Sequence, residues 1–486
     1  MRRALQSLAL SGLLATGLLA TEAFAQEPTE ADPQRNTEAP REAAQEPPAT
    51  PATSVAAQAT PIAAPAARPK FGDLSVSGYF RGGFGASNQK GRMTCFALAN
   101  PQGLVSKYRL GNECEVWAEA HFTAVVYAGD DDSVATFHFM PTVYIPTTNI
   151  GYSPTATTSS PAQLTTSTGA TVSFPNLYVD IKGISWLRGG TAWAGTRYYK
   201  RESVYISDFF YWNPSGVGVG IEDIELNGDL RLSYGAFAVD GEPAQPGSST
   251  DPPLRSQTDF GLRNDLQLRG IRTWETGELQ LGFQYIANYS NNPDTHSGWG
   301  VTVQHVQKVA GGNNKLAVQY GKGGGTGFGT LARFYYPDFS VRHDPNELRV
   351  RVVDVLTVQP LEWLGAQLAA VYQHDDLGNQ GKTDWYSAGG RVSYAFTKHA
   401  KLLGEAGVDY VKKSVGGTPQ YLAKFTIAPT LAASRELLTR PELRLFYTYA
   451  VWNASARGAS VDSGGIYRAT NLLSGATFGL QAETWW

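Results

Sequence analysis

Long apolar runs are scarce in this chain of 486 residues. The one that stands out, Leu8 to Ala20, follows Arg2 and Arg3 and precedes the small-residue pattern Ala23, Phe24, Ala25. That layout belongs to a secretory leader over residues 1–25, cleaved after Ala25 to leave Gln26 first. No later stretch approaches the roughly 20 apolar residues of a membrane helix, so helical spans are excluded. Charge is sparse as well, at 17% of residues with a formal net of −3, which argues against the basic surface of a nucleic-acid binder. Cysteine is limited to Cys95 and Cys114. Behind a leader they meet an oxidising compartment, which favours a local disulfide over two free buried thiols. Metal binding would need more ligands than these two and their neighbours offer. No Walker-type loop, nucleophile elbow or metal-ligand cluster occurs, so no cofactor is implied. The run Asp130, Asp131, Asp132 leaves structural calcium open, although a turn is the commoner meaning of such a run.

Aromatic residues are missing from Gln26 to Pro69, a Pro/Ala-rich segment that cannot bury enough apolar surface to offset its ordering entropy. It reads as a disordered periplasmic spacer. From Lys70 the texture changes to short alternating segments punctuated by Gly, Asn, Asp and Pro, the pattern of strands and turns. Leu74, Val76, Gly78, Phe80, Gly82 and Phe84 alternate with Ser75, Ser77, Tyr79 and Arg81. Leu279, Leu281, Phe283 and Tyr285 alternate with Gln280, Gly282 and Gln284, and Leu443, Leu445, Tyr447 and Tyr449 with Glu442, Arg444 and Thr448. Alternation alone does not say which face is wet. Aromatics toward strand ends, and the lack of continuous apolar runs to fill a core for more than 400 residues, favour apolar-out strands in lipid. At the C-terminus Phe478, Leu480, Ala482, Thr484 and Trp486 hold one phase to a terminal aromatic, which resembles the ending by which outer-membrane barrels are recognised for assembly.

Three blocks carry a resemblance to a family. The run Ser106, Lys107, Tyr108, Arg109, Leu110, Gly111, Asn112, Glu113, Cys114, Glu115 is similar to the maltoporin signature after the first loop. Trp193, Ala194 and Gly195, leading through Arg201 to Asp208, Phe209, Phe210, Tyr211 and Trp212, resemble that family's constriction-loop segment. The ending from Phe478 to Glu483, with Trp485 and Trp486, looks like the maltoporin C-terminus.

The resemblance implies an all-β fold: a transmembrane antiparallel barrel of roughly 18 strands over 70–486, with a loop folded inward as a constriction, assembled as a homotrimer in the outer membrane of a Gram-negative bacterium. The 417 residues from Lys70 allow roughly 23 per strand and connection. It implies a loop disulfide between Cys95 and Cys114. It also implies facilitated diffusion of maltose and maltodextrins along an aromatic slide flanked by a polar track, and no enzyme activity. Tyr79, Trp117 and Trp485 match slide positions, while Arg81, Arg109, Glu119, Arg201, Asp208 and Phe210 match the track and constriction. Trp117 shares a phase with Glu119 and His121, the polar face of its strand. Tyr205 and Asn213 lie in the same loop segment.

The chain departs from the family at several slide positions. Pro146 to Ser173 has no Trp and only Tyr152 to stand for the aromatic contributed by a neighbouring subunit, and two later positions fall near Gly312 and Leu438. A sucrose-type or other oligosaccharide porin, or a general diffusion porin, is the alternative within transport. A secreted glycoside hydrolase is the alternative class. It needs two carboxylates across a scissile bond, for which Glu119 and Asp208 are the only candidates.

Overall fold

The computed structural model describes residues 68–99, 105–146, 156–160, 163–166, 171–240, 259–327, 341, 343–378, 381–413, 417–457, 467 and 471–486. Residues 1–67, which the sequence marks as an expected leader and most of an expected spacer, lie outside them, as does Tyr152. Eighteen strands form the wall: β1 Leu74–Ser87, β2 Glu115–Ala128, β3 Val134–Pro146, β4 Thr171–Lys182, β5 Thr191–Arg197 and β6 Gly216–Asn227; β7 Leu230–Asp240, β8 Phe260–Trp274, β9 Gly277–Asn288, β10 Gly298–Val309, β11 Gly312–Lys322 and β12 Leu348–Leu361; and β13 Leu364–Asp376, β14 Lys382–Ala395, β15 Ala400–Lys413, β16 Gln420–Ala432, β17 Glu442–Trp452 and β18 Ser474–Trp485. Each pairs antiparallel with its neighbours, and β1 pairs with both β2 and β18, so the sheet closes and has no free edge. Closure is what lets a sheet satisfy its backbone in lipid.

The alternation read from the sequence has its apolar phase outward. Phe84, Phe283, Leu443, Leu445, Phe478 and Leu480 are exposed on the outer surface, whereas Tyr79, Arg81, Gln284, Gln481 and Glu483 are buried inside. Short turns such as 129–133 and 228–229 join strands at one rim, and the longer connections lie at the other. By the rule for such barrels the short-turn rim is periplasmic. Asp131 and Asp132 shape one of these turns: Asp131 Oδ1 accepts the Ser133 amide at 3.2 Å, and Asp132 has a φ of 68°.

Two connections fold into the barrel. The segment between β1 and β2 is closed by the Cys95–Cys114 disulfide, and Phe96, Leu98 and Tyr108 from it are buried. The segment between β5 and β6 carries a small hairpin of Glu202–Val204 and Phe209–Trp212. Its Val204, Ile206, Phe209 and Tyr211 pack with the first segment and with Val353, Val371, Trp385, Val411 and Trp452 of the wall. An apolar core thus fills one side of the barrel. Tyr108 lies against the facing pair Gly389 and Gly407, where a Cβ on either glycine would overlap its ring.

Candidate functional site

The central strand of the site is β1. Its register sets Tyr79 opposite Trp485 of β18 and Glu119 of β2, and Arg81 opposite Glu483 and Trp117. Alternation turns all six inward, so three strands present a checkerboard of rings and charges on the bore side. Tyr79 and Trp485 stack with centroids 6.4 Å apart and planes at 15°. Trp117 packs on Tyr144 of β3 at 6.1 Å and donates its indole N–H to Glu119 at 3.0 Å.

A buried charge network locks the inward segments to this wall. Glu483 accepts hydrogen bonds from Tyr79 at 2.7 Å, Arg109 at 3.0 Å, Tyr205 at 2.8 Å and Arg440 at 3.0 Å. Arg109 also donates to Glu113 at 2.6 Å and to the Tyr79 hydroxyl at 2.8 Å. Arg81 pairs with Glu113 and Glu115 and lies 3.7 Å from Asp208. Lys107 pairs with Glu113 at 2.8 Å and Glu115 at 3.3 Å. Burial alone would raise the Glu113 carboxyl, but Arg81, Lys107 and Arg109 hold it below the usual carboxylate range. Charges taken this far out of water persist because each has opposite partners.

The hairpin is pinned across the bore to the far wall. Glu202 pairs with Arg269 of β8 at 3.0 Å and Lys315 of β11 at 2.7 Å. Tyr211 donates to Gln304 at 2.6 Å, Arg351 donates to the Tyr211 carbonyl at 3.0 Å, and the Ile206 amide donates to Gln367 at 3.0 Å. Glu202 would rise on burial, yet Lys315 and Arg269 bring it below the ordinary carboxylate range.

The residues singled out from the sequence therefore fall into two groups. Tyr79, Arg81, Arg109, Trp117, Glu119, Asp208 and Phe210 are buried in the wall and network. Trp485, Arg201 and Tyr205 keep partly exposed surface on the bore side, with the Arg201 guanidinium 3.3 Å from the Tyr198 ring centroid and 4.9 Å from that of Phe210. Asn213 is buried and shapes a turn, accepting from Ser215 Oγ at 2.6 Å. Gly312 begins β11 and Leu438 lies in the turn before β17, so neither adds a ring.

Three participants were missed by sequence reasoning. Tyr144 and Tyr198 join the Tyr79, Trp117 and Trp485 cluster, and Arg440 holds its guanidinium 4.3 Å from the Trp485 ring centroid. Tyr144 shares the inward phase of β3 with Thr142, so its alternation was a usable signal. Arg440 comes from a turn, where periodicity offers none.

A closed barrel with segments folded into its bore is the geometry of a narrowed pore, and the LamB porin family matches residues 74–486. The chain belongs to the LamB porin family. As a member it is an outer-membrane porin channel of a Gram-negative bacterium, and the family points to passage of solute rather than its cleavage. Among solved structures, the chain is similar to OccAB1 of Acinetobacter baumannii, with 10% identity over 86% of this chain and 97% of that one, at a TM-score of 0.45. It is similar also to the outer membrane channel DcaP of Acinetobacter baumannii, with 12% identity, 86% and 98% coverage and a TM-score of 0.43. The trimer form of OmpT, an outer membrane protein of Vibrio cholerae, follows at 10% identity, 86% and 100% coverage and a TM-score of 0.39. At that level of likeness they add nothing to the barrel described above.

Proposed function

We propose that this LamB porin conducts maltose and maltodextrins by facilitated diffusion, as a homotrimer, with Trp485 and its ring neighbours as a sliding surface, Arg201 and the Tyr205 hydroxyl as the adjoining polar track, and the buried Arg440 backing the Trp485 ring. A glucosyl ring has an apolar face of C–H groups and an equator of hydroxyls. It asks for flat aromatic surface beside fixed hydrogen-bonding groups. The observation that carries the reading is the stacked Tyr79–Trp485 pair, which sits at the seam of β1 and β18 with Arg440 over one of its rings.

Tyr79, Trp117, Arg81, Arg109, Glu119, Asp208 and Phe210 serve this surface from beneath. They orient the exposed rings and hold the loops that narrow the bore. The carboxylates of Glu119 and Asp208 are engaged by Trp117 and Arg81, which disfavours a hydrolytic pair. Because Gly312 and Leu438 interrupt the slide, short oligosaccharides bind nearly as well as long ones. Liposome swelling with maltotriose against sucrose, combined with sugar-dependent current noise in planar bilayers, tests the assignment. Faster entry of maltotriose and noise that saturates with it are expected. Equal swelling rates after correction for size, without noise, would reject maltodextrin selectivity.

A further inference from the structure

The wall formed by β2, β3 and β4 carries a cluster that sugar passage does not use. His121 Nε2 lies 3.2 Å from His138 Nδ1, and His138 Nε2 lies 3.0 Å from Asp180 Oδ2. The His138 ring lies flat on Tyr178, with centroids 4.2 Å apart and planes at 2°, which fixes its orientation. The cluster faces the bore: His121 shares the face of Trp117 and Glu119, while neighbouring Phe122 and Phe137 are exposed on the lipid side. His121 is half-buried and His138 keeps 12% of its side-chain surface exposed, so water reaches both.

We propose that His121 and His138 form a binding site for a divalent transition-metal ion of the Zn2+ class on the bore wall, with Asp180 as the outer partner that orients His138. The hydrogen bond from His138 Nε2 to Asp180 leaves the Nδ1 lone pair directed toward His121. This is the carboxylate–histidine–metal relay in which a second partner fixes the tautomer of a ligand. Two nitrogens bound to a tetrahedral ion at about 2.0–2.1 Å stand about 3.3 Å apart. The separation of 3.2 Å already matches that edge. An entering ion replaces the proton between the two rings, and each ring turns by about 35° so that both lone pairs converge on the ion instead of lying along the line between the nitrogens.

Local charge supports a cation. Asp180 Oδ1 is buried without a hydrogen-bond partner among the described residues, so its carboxylate is only partly satisfied. The Arg197 guanidinium, 4.6 Å from the Tyr178 ring centroid, is paired with Glu222 at 2.8 Å, which offsets part of the positive field it sets at His121. Two protein nitrogens leave the remaining positions to water. The site is therefore weaker than a closed cage, consistent with no group of three His, Cys, Asp or Glu suited to a metal among the described residues. Imidazole donors favour Zn2+, Cu2+ and Ni2+ over Mg2+ and Ca2+.

The test titrates Zn2+ alone, with Mg2+ as the counter-ion control, into the full-length protein in detergent and follows binding by calorimetry. One Zn2+ per chain is expected in the wild type, with binding lost in His121→Gln and in His138→Gln and weakened about 10- to 100-fold in Asp180→Asn. His296, His305, His343, His374 and His399 remain in every variant and report background binding. Equal Zn2+ binding by the wild type and both histidine variants, or none by the wild type, overturns the site. Undiminished binding by Asp180→Asn overturns the role of that carboxylate. In planar bilayers the variants keep wild-type conductance without Zn2+, which shows that they are folded. Zn2+ added from the short-turn side lowers wild-type cation current and leaves that of the histidine variants unchanged. Binding with no effect on wild-type current overturns the placement on the conducting path.

Discussion

Trp485 is held on three sides: Tyr79 stacks on it, Tyr205 meets it edge-on at 6.4 Å, and the Arg440 guanidinium covers it. The orientation of the ring is thereby fixed, as the proposed sliding surface requires. Trp485→Ala should lower maltotriose affinity about 2- to 10-fold, the equivalent of roughly 0.5–1.5 kcal/mol of aromatic contact, read from a noise titration. Arg109 has a different task. It bridges Glu113, Glu483 and the Tyr79 hydroxyl across a buried interface, so Arg109→Ala leaves carboxylate oxygens short of a donor and should cost about 1–3 kcal/mol, seen as a lower unfolding temperature of the detergent-solubilised protein. At this scale the sequence was partly legible. Phase along β1, β2 and β18 sufficed to turn Tyr79, Trp117 and Trp485 inward. Phase does not say how deep a residue sits, and the inward segments bury Arg81, Arg109 and Asp208 in ion pairs whose partners lie up to 374 positions away.

The hairpin between β5 and β6 is an element defined by its anchors more than by its own two short strands. Glu202 fastens it to β8 and β11, and Glu202→Gln should loosen it and raise open-channel noise severalfold in single-channel recordings. The pH dependence has a definite sign. Because the folded-state pKa of Glu202 is depressed, its contribution is present above the ordinary carboxylate range and is lost as pH falls through that lower value. Wild-type noise should therefore grow on acidification, while Glu202→Gln is already noisy and flat across the same window. The strands themselves were legible because period two is a local property. The anchors were not: Glu202 reaches Lys315 and Tyr211 reaches Gln304 across the bore, and nothing local to either residue encodes the partner. Tyr144 could have been found by phase and was overlooked, whereas Arg440 depends on the path of a turn.

The whole barrel turns inside out relative to a water-soluble sheet protein, and alternation alone is blind to that choice. The exposed belt of Phe84, Phe283, Leu445 and Leu480 decides it. Phe283→Arg, near the middle of β9, should cost about 2–4 kcal/mol in lipid, measured by urea titration of folding into vesicles. Closure has its own consequence. Trp486 exchanges backbone hydrogen bonds with Gly78 at 3.0 and 3.1 Å, and Ser474–Trp485 zips along β1, so the ring is sealed by its two most distant segments. A polypeptide cut short before Ser474 is an unsealed ribbon with two sticky borders, ready to stitch to any other ribbon beside it. Completion of the wall is thus all or nothing: until the last stave arrives the cask stays open along its whole height.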